Sequence, residues 1–506
     1  MSNTLALATV TTRRGDRPSE RDSALHPTAI MAAGAVAALT FVVYLLTLAP
    51  DLYSLDSPEL AAAAYRLGIA HEPGYPLYTL LGWLFSHAFP VSNVAYRLNV
   101  LSALFGVAAC VATFTLASRL VRRPVAAAAG ALALGFSYYF WADALAAEVY
   151  TLDAALYAGL LLAACVWRAQ RTPASAAAVG LLFGLGMATR TTTLLYLPAL
   201  AVFAWVSGER SPGAWAAAAA GVCAGTAFYL YLPLRSAAGI GVGPGYYTSD
   251  GALHVWNLAS WSGFWNHVTA ARFQGDAFAY GPVGAVRQAG VFGGQLAGSF
   301  LVVGLFAAAA GIARQWRADR ALLLLVAGTA APVTIFFINY GTLDKEFMFL
   351  PAYVACAVWI ALGIEAALDR AEAYEPSLRG SAMVAAAPLL LPLAALVVNL
   401  PLVSLHGEHR PRAQAQDFLA RVPQGAIVYG PFLDIAPFQY LQEVEHSRTD
   451  LALVNAWTID ERTLLALADA NVGSRPFFIT QDEPVLHKKY QLVRVGTGYE
   501  VRPQGR

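Results

Sequence analysis

Apolar residues along this chain fall in long blocks separated by short polar stretches. The blocks cover roughly 29–49, 97–118, 125–142, 148–167, 174–189, 191–207, 213–233, 290–313, 321–340, 347–366 and 382–403. A helix needs about 20 apolar residues to cross a bilayer, so the pattern predicts about eleven transmembrane helices. The run 76–89 is shorter, and at about 1.5 Å per residue it cannot cross a hydrocarbon core about 30 Å thick. Leu77, Leu80, Leu81 and Leu84 recur along it at helical spacing, which predicts an amphipathic helix on the membrane surface.

The placement of basic residues supports that choice. With 76–89 outside the bilayer, Arg13 to Arg21, Arg119/Arg122/Arg123, Arg168/Arg171, Arg210, Arg314/Arg317/Arg320 and Arg370/Arg379 all fall on one side. The positive-inside rule makes that side the cytoplasm. The loop 50–96, Asp143–Glu148, the long segment 234–289, the Asn339–Glu346 hairpin and the C-terminus then lie on the extracytoplasmic face. Spans 174–189 and 191–207 abut at Arg190 with almost no loop.

Residues 1–28 are polar and predict a disordered cytoplasmic N-terminus, and 29–403 the transmembrane domain. No small-residue cleavage site follows the first block, so it reads as a retained signal anchor. From about residue 404 charges return, and Ala426–Tyr429, Leu451–Val454 and Pro476–Thr480 alternate with helix-like Ile435–Glu445 and Glu461–Ala470. That alternation predicts a small extracytoplasmic α/β domain over 404–506. It carries no G-x-G-x-x-G string, hence no nucleotide-site signal.

Composition agrees with a membrane class. Of 506 residues 58% are hydrophobic and 13% charged, against about 25% charged in soluble domains. A net charge of +1 gives no signal for nucleic acid. The four cysteines lie within apolar runs and read as small buried hydrophobes. The Ala, Gly and Arg bias suggests a GC-rich bacterial genome, and so a bacterial inner membrane.

Against this apolar background the ionisable groups of the first loop stand out: Asp51, Asp56, Glu59, His71 and Glu72. Charges beside a bilayer are costly to desolvate and mark a site. Asp56 and Glu59 are three apart at a helix start, with Pro58 suited to its first turn, so they share one face. Asp56 reads either as a helix cap or as a general base for a hydroxyl. His71 turns toward the same pocket or satisfies the loop backbone, and Pro73-Gly74-Tyr75-Pro76 reads as a rigid turn. Glu148 and Tyr150 open an apolar span, where a carboxylate needs a partner; the neighbouring aromatics also suit an interfacial belt. Arg235 either snorkels to the interface or holds a phosphate bidentately. Trp261, Trp265, His267 and Arg272 would suit a sugar phosphate or lipid headgroup. Asp344-Lys345-Glu346 reads equally as a solvated hairpin cluster or a site. No H-E-x-x-H or Asp-x-Asp is present, so no metal is expected to be required.

Several of these strings also carry a resemblance. They are Leu55-Asp56-Ser57-Pro58-Glu59, His71-Glu72-Pro73-Gly74-Tyr75-Pro76-Leu77-Tyr78, Arg97-Leu98-Asn99-Val100-Leu101-Ser102, Glu148-Val149-Tyr150 and Tyr231-Leu232-Pro233-Leu234-Arg235-Ser236. In this order the chain resembles the TMEM260-like (DUF2723) group of GT-C glycosyltransferases, a protein O-mannosyltransferase-like membrane family. The resemblance implies a polytopic α-helical GT-C fold and an inverting glycosyltransferase with no cofactor. It implies a polyprenyl-phosphate sugar donor, with mannose as the sugar, and a hydroxyl acceptor on a protein or glycan. Asp56 would be the base, Glu59 and Glu148 family acidic positions, and Arg235 the donor-phosphate residue; Asp51 and Glu72 receive no role. The chain departs from the family at Ala188-Thr189-Arg190-Thr191, where an Asn-His pair is expected, and Arg190 could replace the histidine as phosphate partner. A transporter or flippase of polyprenyl-linked lipids is the alternative, which discontinuous helices with mid-membrane charges would favour.

Overall fold

The computed structural model describes residues 27–240, 246–247, 253–254, 256–342 and 344–504. The expected disordered segment 1–28 lies outside them except for Pro27 and Thr28, which belong to the first helix. That helix, α1 (Pro27–Thr47), is followed by two short helices, α2 (Ser57–Arg66) and α3 (Pro76–Ala88), and by the long α4 (Val94–Ser118). Next come α5 (Pro124–Gly135), the short α6 (Tyr138–Asp143), α7 (Tyr150–Gln170), α8 (Pro173–Met187), a 3-10 turn (Thr191–Tyr196) and α9 (Leu197–Val206). Helices α10 (Pro212–Thr226) and α11 (Tyr231–Ala237) run on through a 3-10 link, and strands β1 (Tyr246–Tyr247) and β2 (Leu253–His254) pair antiparallel. Helix α12 (Trp261–Val268) leads to α13 (Pro282–Ser299), α14 (Val303–Ala318), α15 (Arg320–Ile338), α16 (Leu350–Tyr374), α17 (Ala382–Ala386) and α18 (Leu390–Val403).

By length and composition seven of these stretches can cross a membrane, or eight with the bent pair α13–α14 counted as one; 124–135, 173–187 and 191–206 are shorter apolar helices. Two expected spans are redrawn. The block 290–313 is broken at residues 300–302, where α13 and α14 meet at 103°. The block 125–142 divides into α5 and α6, because Phe136 and Ser137 leave helical geometry. Helix α3 is present, and its buried residues are Pro76, Leu77, Tyr78, Thr79, Gly82 and Ser86, while Leu84 is exposed. Small residues set this packing: a Cβ on Gly82 would lie 2.7 Å from Ala64 of α2. Likewise a Cβ on Gly311 of α14 would meet the Trp359 carbonyl of α16 at 1.9 Å, so the two backbones touch directly.

The basic residues expected on one side gather at one end of the bundle and find acids there. Arg123 pairs with Glu365 and Asp369, Arg314 with Asp369 at 2.8 Å, and Arg168 with Asp319 at 2.5 Å. The opposite end is pinned by the polar residues of α4. Arg97 donates to the carbonyls of Ser86 and Ser92, each at 2.9 Å, and Asn99 to those of Ala49 and Asp51. Ser102 exchanges hydrogen bonds with the main chain of Glu148. These side chains fix the loops that follow α1 and α6.

After α19 (Arg410–Arg421) the remainder alternates β3 (Ile427–Gly430), α20 (Phe432–Glu443), β4 (Ala452–Asn455), α21 (Glu461–Asn471) and β5 (Phe477–Ile479), then closes with β6 (Tyr490–Val495) and β7 (Gly498–Pro503). The sheet order is β4-β3-β5-β7-β6, parallel through β4, β3 and β5 and antiparallel beyond. This domain sits on the first loop. Arg66 pairs with Glu443 at 2.8 Å, Arg412 bridges Asp51 and Glu445, and the Ala95 amide donates to the Tyr440 hydroxyl. Asp51 therefore serves docking.

Candidate active site

Helix α2 places Asp56 and Glu59 on one side, as their spacing requires, and both carboxylates converge on His71. Glu59 accepts from the His71 amide at 2.9 Å and contacts Nδ1 at 2.5 Å, while Asp56 Oδ2 lies 3.6 Å from Nε2. Asp56 occupies the cap position of α2 but makes no capping hydrogen bond. Its carboxylate is thus left for the cavity it borders. Of the two readings of His71, the turn toward the pocket is the observed one, and the Tyr75 hydroxyl lies 3.3 Å from its Nε2.

The cavity measures about 500 Å³ and opens at the end of the bundle where the C-terminal domain sits. Asp56, His71, Tyr75, Tyr150, Arg190 and Asp344 are on its wall. Tyr150 donates to Asp344 at 2.9 Å. The Arg190 guanidinium lies 4.7 Å from the Tyr150 ring centre and 5.0 Å from that of Phe337, with Asp153 at 3.9 Å. Two aromatic faces and one distant carboxylate hold the guanidinium without consuming its donor edge. Among the described residues it is the only arginine or lysine on that wall.

Burial raises the Asp56 carboxyl to about 7, with His71 opposing and Asp344 and Glu59 adding to the rise. Burial by itself would lower His71, but Glu59 and then Asp56 outweigh it and hold the imidazole at about 10. The two acids thus favour the protonated imidazole, Glu59 most strongly. Asp56 titrates where a general base is most effective. Glu148 is buried just outside the start of α7 and off the cavity wall; burial first, then the charges of Asp56 and Asp143, push its carboxyl well above the usual range.

Three expected binding residues are placed elsewhere. Arg235 is not on the wall: its Nε donates to the Leu67 carbonyl at 2.7 Å, closing the left-handed end of α2. It follows Tyr231, whose hydroxyl secures the next carbonyl, Gly68, at 2.6 Å. His267 lies under the Pro73–Pro76 turn, contacts the Ala70 carbonyl at 3.2 Å, and would be 3.0 Å from a Cβ on Gly74. Burial lowers its pKa to about 3, so it is a neutral strut. Arg272 stands behind the wall, 3.5 Å from Glu72, which does line the cavity. Asp344 is the counterpart gain, a wall residue whose only signal was a charge triplet in a tight hairpin. Trp457 and Leu433 from the C-terminal domain also line the cavity, and nothing in the sequence pattern pointed to them.

Bundle, first-loop helices and C-terminal sheet together define a polytopic GT-C fold. The chain superposes over 94% of its length on the crystal structure of ArnT from Cupriavidus metallidurans bound to undecaprenyl phosphate, and equally on the apo form, covering 98% of that chain at TM-score 0.59 and 15% identity. Within this class its N-terminal part is TMEM260-like: residues 56–212 match the family described as Protein O-mannosyl-transferase TMEM260 N-terminal domain. It is 39% identical over 177 residues to Protein O-mannosyl-transferase TMEM260 of Mus musculus, covering 34% of this chain and 25% of that protein. Against the Dictyostelium discoideum protein of the same name the identity is 29% over 128 residues, or 25% of this chain and 16% of that one. The matched part thus spans a quarter or less of these relatives.

Proposed function

We propose that the protein is an inverting glycosyltransferase that moves mannose from a polyprenyl-phosphate donor to a hydroxyl acceptor at the extracytoplasmic face of the cell membrane, the acceptor being a protein Ser or Thr. The observation that carries this reading is the presence of Asp56 and Arg190 on one cavity at the end of an apolar bundle. In the reaction Asp56 takes the acceptor's hydroxyl proton as the new bond to the sugar carbon forms. The bond from that carbon to the phosphate oxygen breaks in the same displacement, and the phosphate leaves with the electron pair. Arg190 meets the negative charge growing on it. The names of the curated relatives support mannose and a protein acceptor, and the lipid phosphate bound by ArnT supports the donor class. A lipid transporter is less well supported, because the candidate groups gather at one end of the bundle and not at mid-depth.

The test is to incubate the purified protein with polyprenyl-phosphate mannose and an extracytoplasmic protein extract, then identify the product by mass spectrometry. Mannosylated Ser or Thr is expected; donor recovered intact would refute the reading. Orientation is tested separately with a cysteine at exposed Thr449. Labelling by an impermeant maleimide in intact cells is expected, and protection would reverse the topology.

A further inference from the structure

The C-terminal domain adds an apolar shelf to a cavity whose wall also carries the acids Asp56, Glu72, Asp276 and Asp344. In its sheet, β3 lies between β4 and β5, so the chain crosses from one side of β3 to the other, and ligands of parallel sheets bind at the carboxyl ends of strands at such a reversal. Here the first turn of α20, which follows β3, carries Phe432 and Leu433, and the 3-10 turn after β4 carries Trp457. Trp457 stacks on Phe432 with ring centres 4.4 Å apart and planes at 10°. Phe273, from the long loop, presents its edge to Trp457 at 5.9 Å, and Phe432 approaches His71 edge-on at 5.8 Å. An aromatic path therefore runs from the His71 imidazole, beside Asp56, to the second domain. Phe432 is its buried base at 2% exposure, whereas Trp457 and Leu433 remain 45% and 41% exposed on the cavity wall. With Phe273, Phe336 and Met348 they make a contiguous apolar part of the wall, the kind of surface that receives a ligand.

The occupant follows from the other walls. In the proposed reaction the donor's tail runs toward the bilayer and its phosphate meets Arg190, which the bundle supplies to the cavity wall together with Thr191 and Phe337. The shelf belongs to the domain outside the bundle, which is the side left for the acceptor. Trp457 and Leu433 offer two apolar contacts and a single indole N–H, which fit the apolar flanking side chains of a polypeptide, the acceptor class that the names of the curated relatives favour. We propose that Trp457 and Leu433 form the acceptor subsite and receive a polypeptide segment that carries the reactive hydroxyl; the proposal rests on the transferase reading above.

The test uses the full chain in nanodiscs with polyprenyl-phosphate mannose and, as acceptors, a synthetic Ala/Val/Thr decapeptide or a neutral oligosaccharide. Trp457→Ala and Leu433→Ala are each expected to raise the KM for the peptide by about tenfold, the scale of a lost apolar pocket contact. The donor KM should stay within about twofold, and Trp457→Phe should recover most of the peptide KM because an aromatic face is kept. Leu433→Ala guards against the chance that losing the indole disturbs the Phe432 stack. Unchanged peptide KM in both alanine variants, a parallel rise in donor KM, or transfer to the oligosaccharide but not the peptide would overturn the subsite. Absence of turnover with both acceptors in the unaltered protein would instead overturn the transferase reading, and the subsite with it.

Discussion

Asp56→Asn is expected to reduce transfer by about 10²- to 10⁴-fold, the usual contribution of a positioned general base, while donor affinity changes little. The substitution keeps the shape and the contact with His71 but removes the lone pair that takes the acceptor's proton. Because Asp56 makes no capping bond, α2 does not lose its start, and membrane insertion and thermal midpoint should be retained. Titration of kcat/KM gives an independent check. Asp56 works only when ionised, and its carboxyl is raised to about 7. The acid limb should therefore rise through about pH 7, above the ordinary carboxylate range. Glu59→Gln would remove two opposed influences on this carboxyl: the Glu59 charge, which raises Asp56, and its support of the His71 cation, which lowers it. A variant at position 56 that turns over normally would exclude Asp56 as the base, whereas an acid limb near pH 4 would mean that its carboxyl ionises at the ordinary carboxylate value.

Much of this site was legible because the bilayer makes charge expensive. Asp56, Glu59 and His71 were visible as ionisable groups beside an apolar block, and the three-residue spacing of the two acids translated directly into a shared partner. The strands of the C-terminal domain were legible as short apolar runs, except β6 and β7. Their alternation is partial, with polar residues interleaved and a two-residue turn between them, so no continuous run announces them. The bend at residues 300–302 was hidden for the opposite reason: apolarity continues across it, and hydropathy does not register a break in backbone direction. Arg235 was ambiguous because its position near the interface fits a phosphate ligand and a helix-end clamp equally well. The structure shows the clamp, on the Leu67 carbonyl 168 residues earlier. Trp457 could not be seen at all, since its role comes from docking of one domain on another through Arg66, Asp51 and Ala95.

Arg190→Ala should have the larger effect on the donor, and the contrast with Arg235→Ala separates two roles that the sequence leaves tangled. Removing one preorganised donor from developing negative charge costs about 10²- to 10³-fold in turnover. Arg190 is the only arginine or lysine on the cavity wall among the described residues, so no neighbour substitutes for it. Donor affinity should fall as well, since the phosphate is already anionic before transfer. Arg190→Lys is expected to recover part of the affinity but little of the rate. An ammonium restores charge but loses the planar fork and the stacking against Tyr150 and Phe337. Arg235→Ala should leave donor affinity unchanged in equilibrium binding with polyprenyl phosphate, while lowering the thermal midpoint through loss of the Leu67 clamp. If Arg235→Ala weakens that binding and Arg190→Ala does not, the phosphate lies along α11 and the cavity is the acceptor's alone. Arg190 would then be a support for Tyr150, and the leaving group would need another cation.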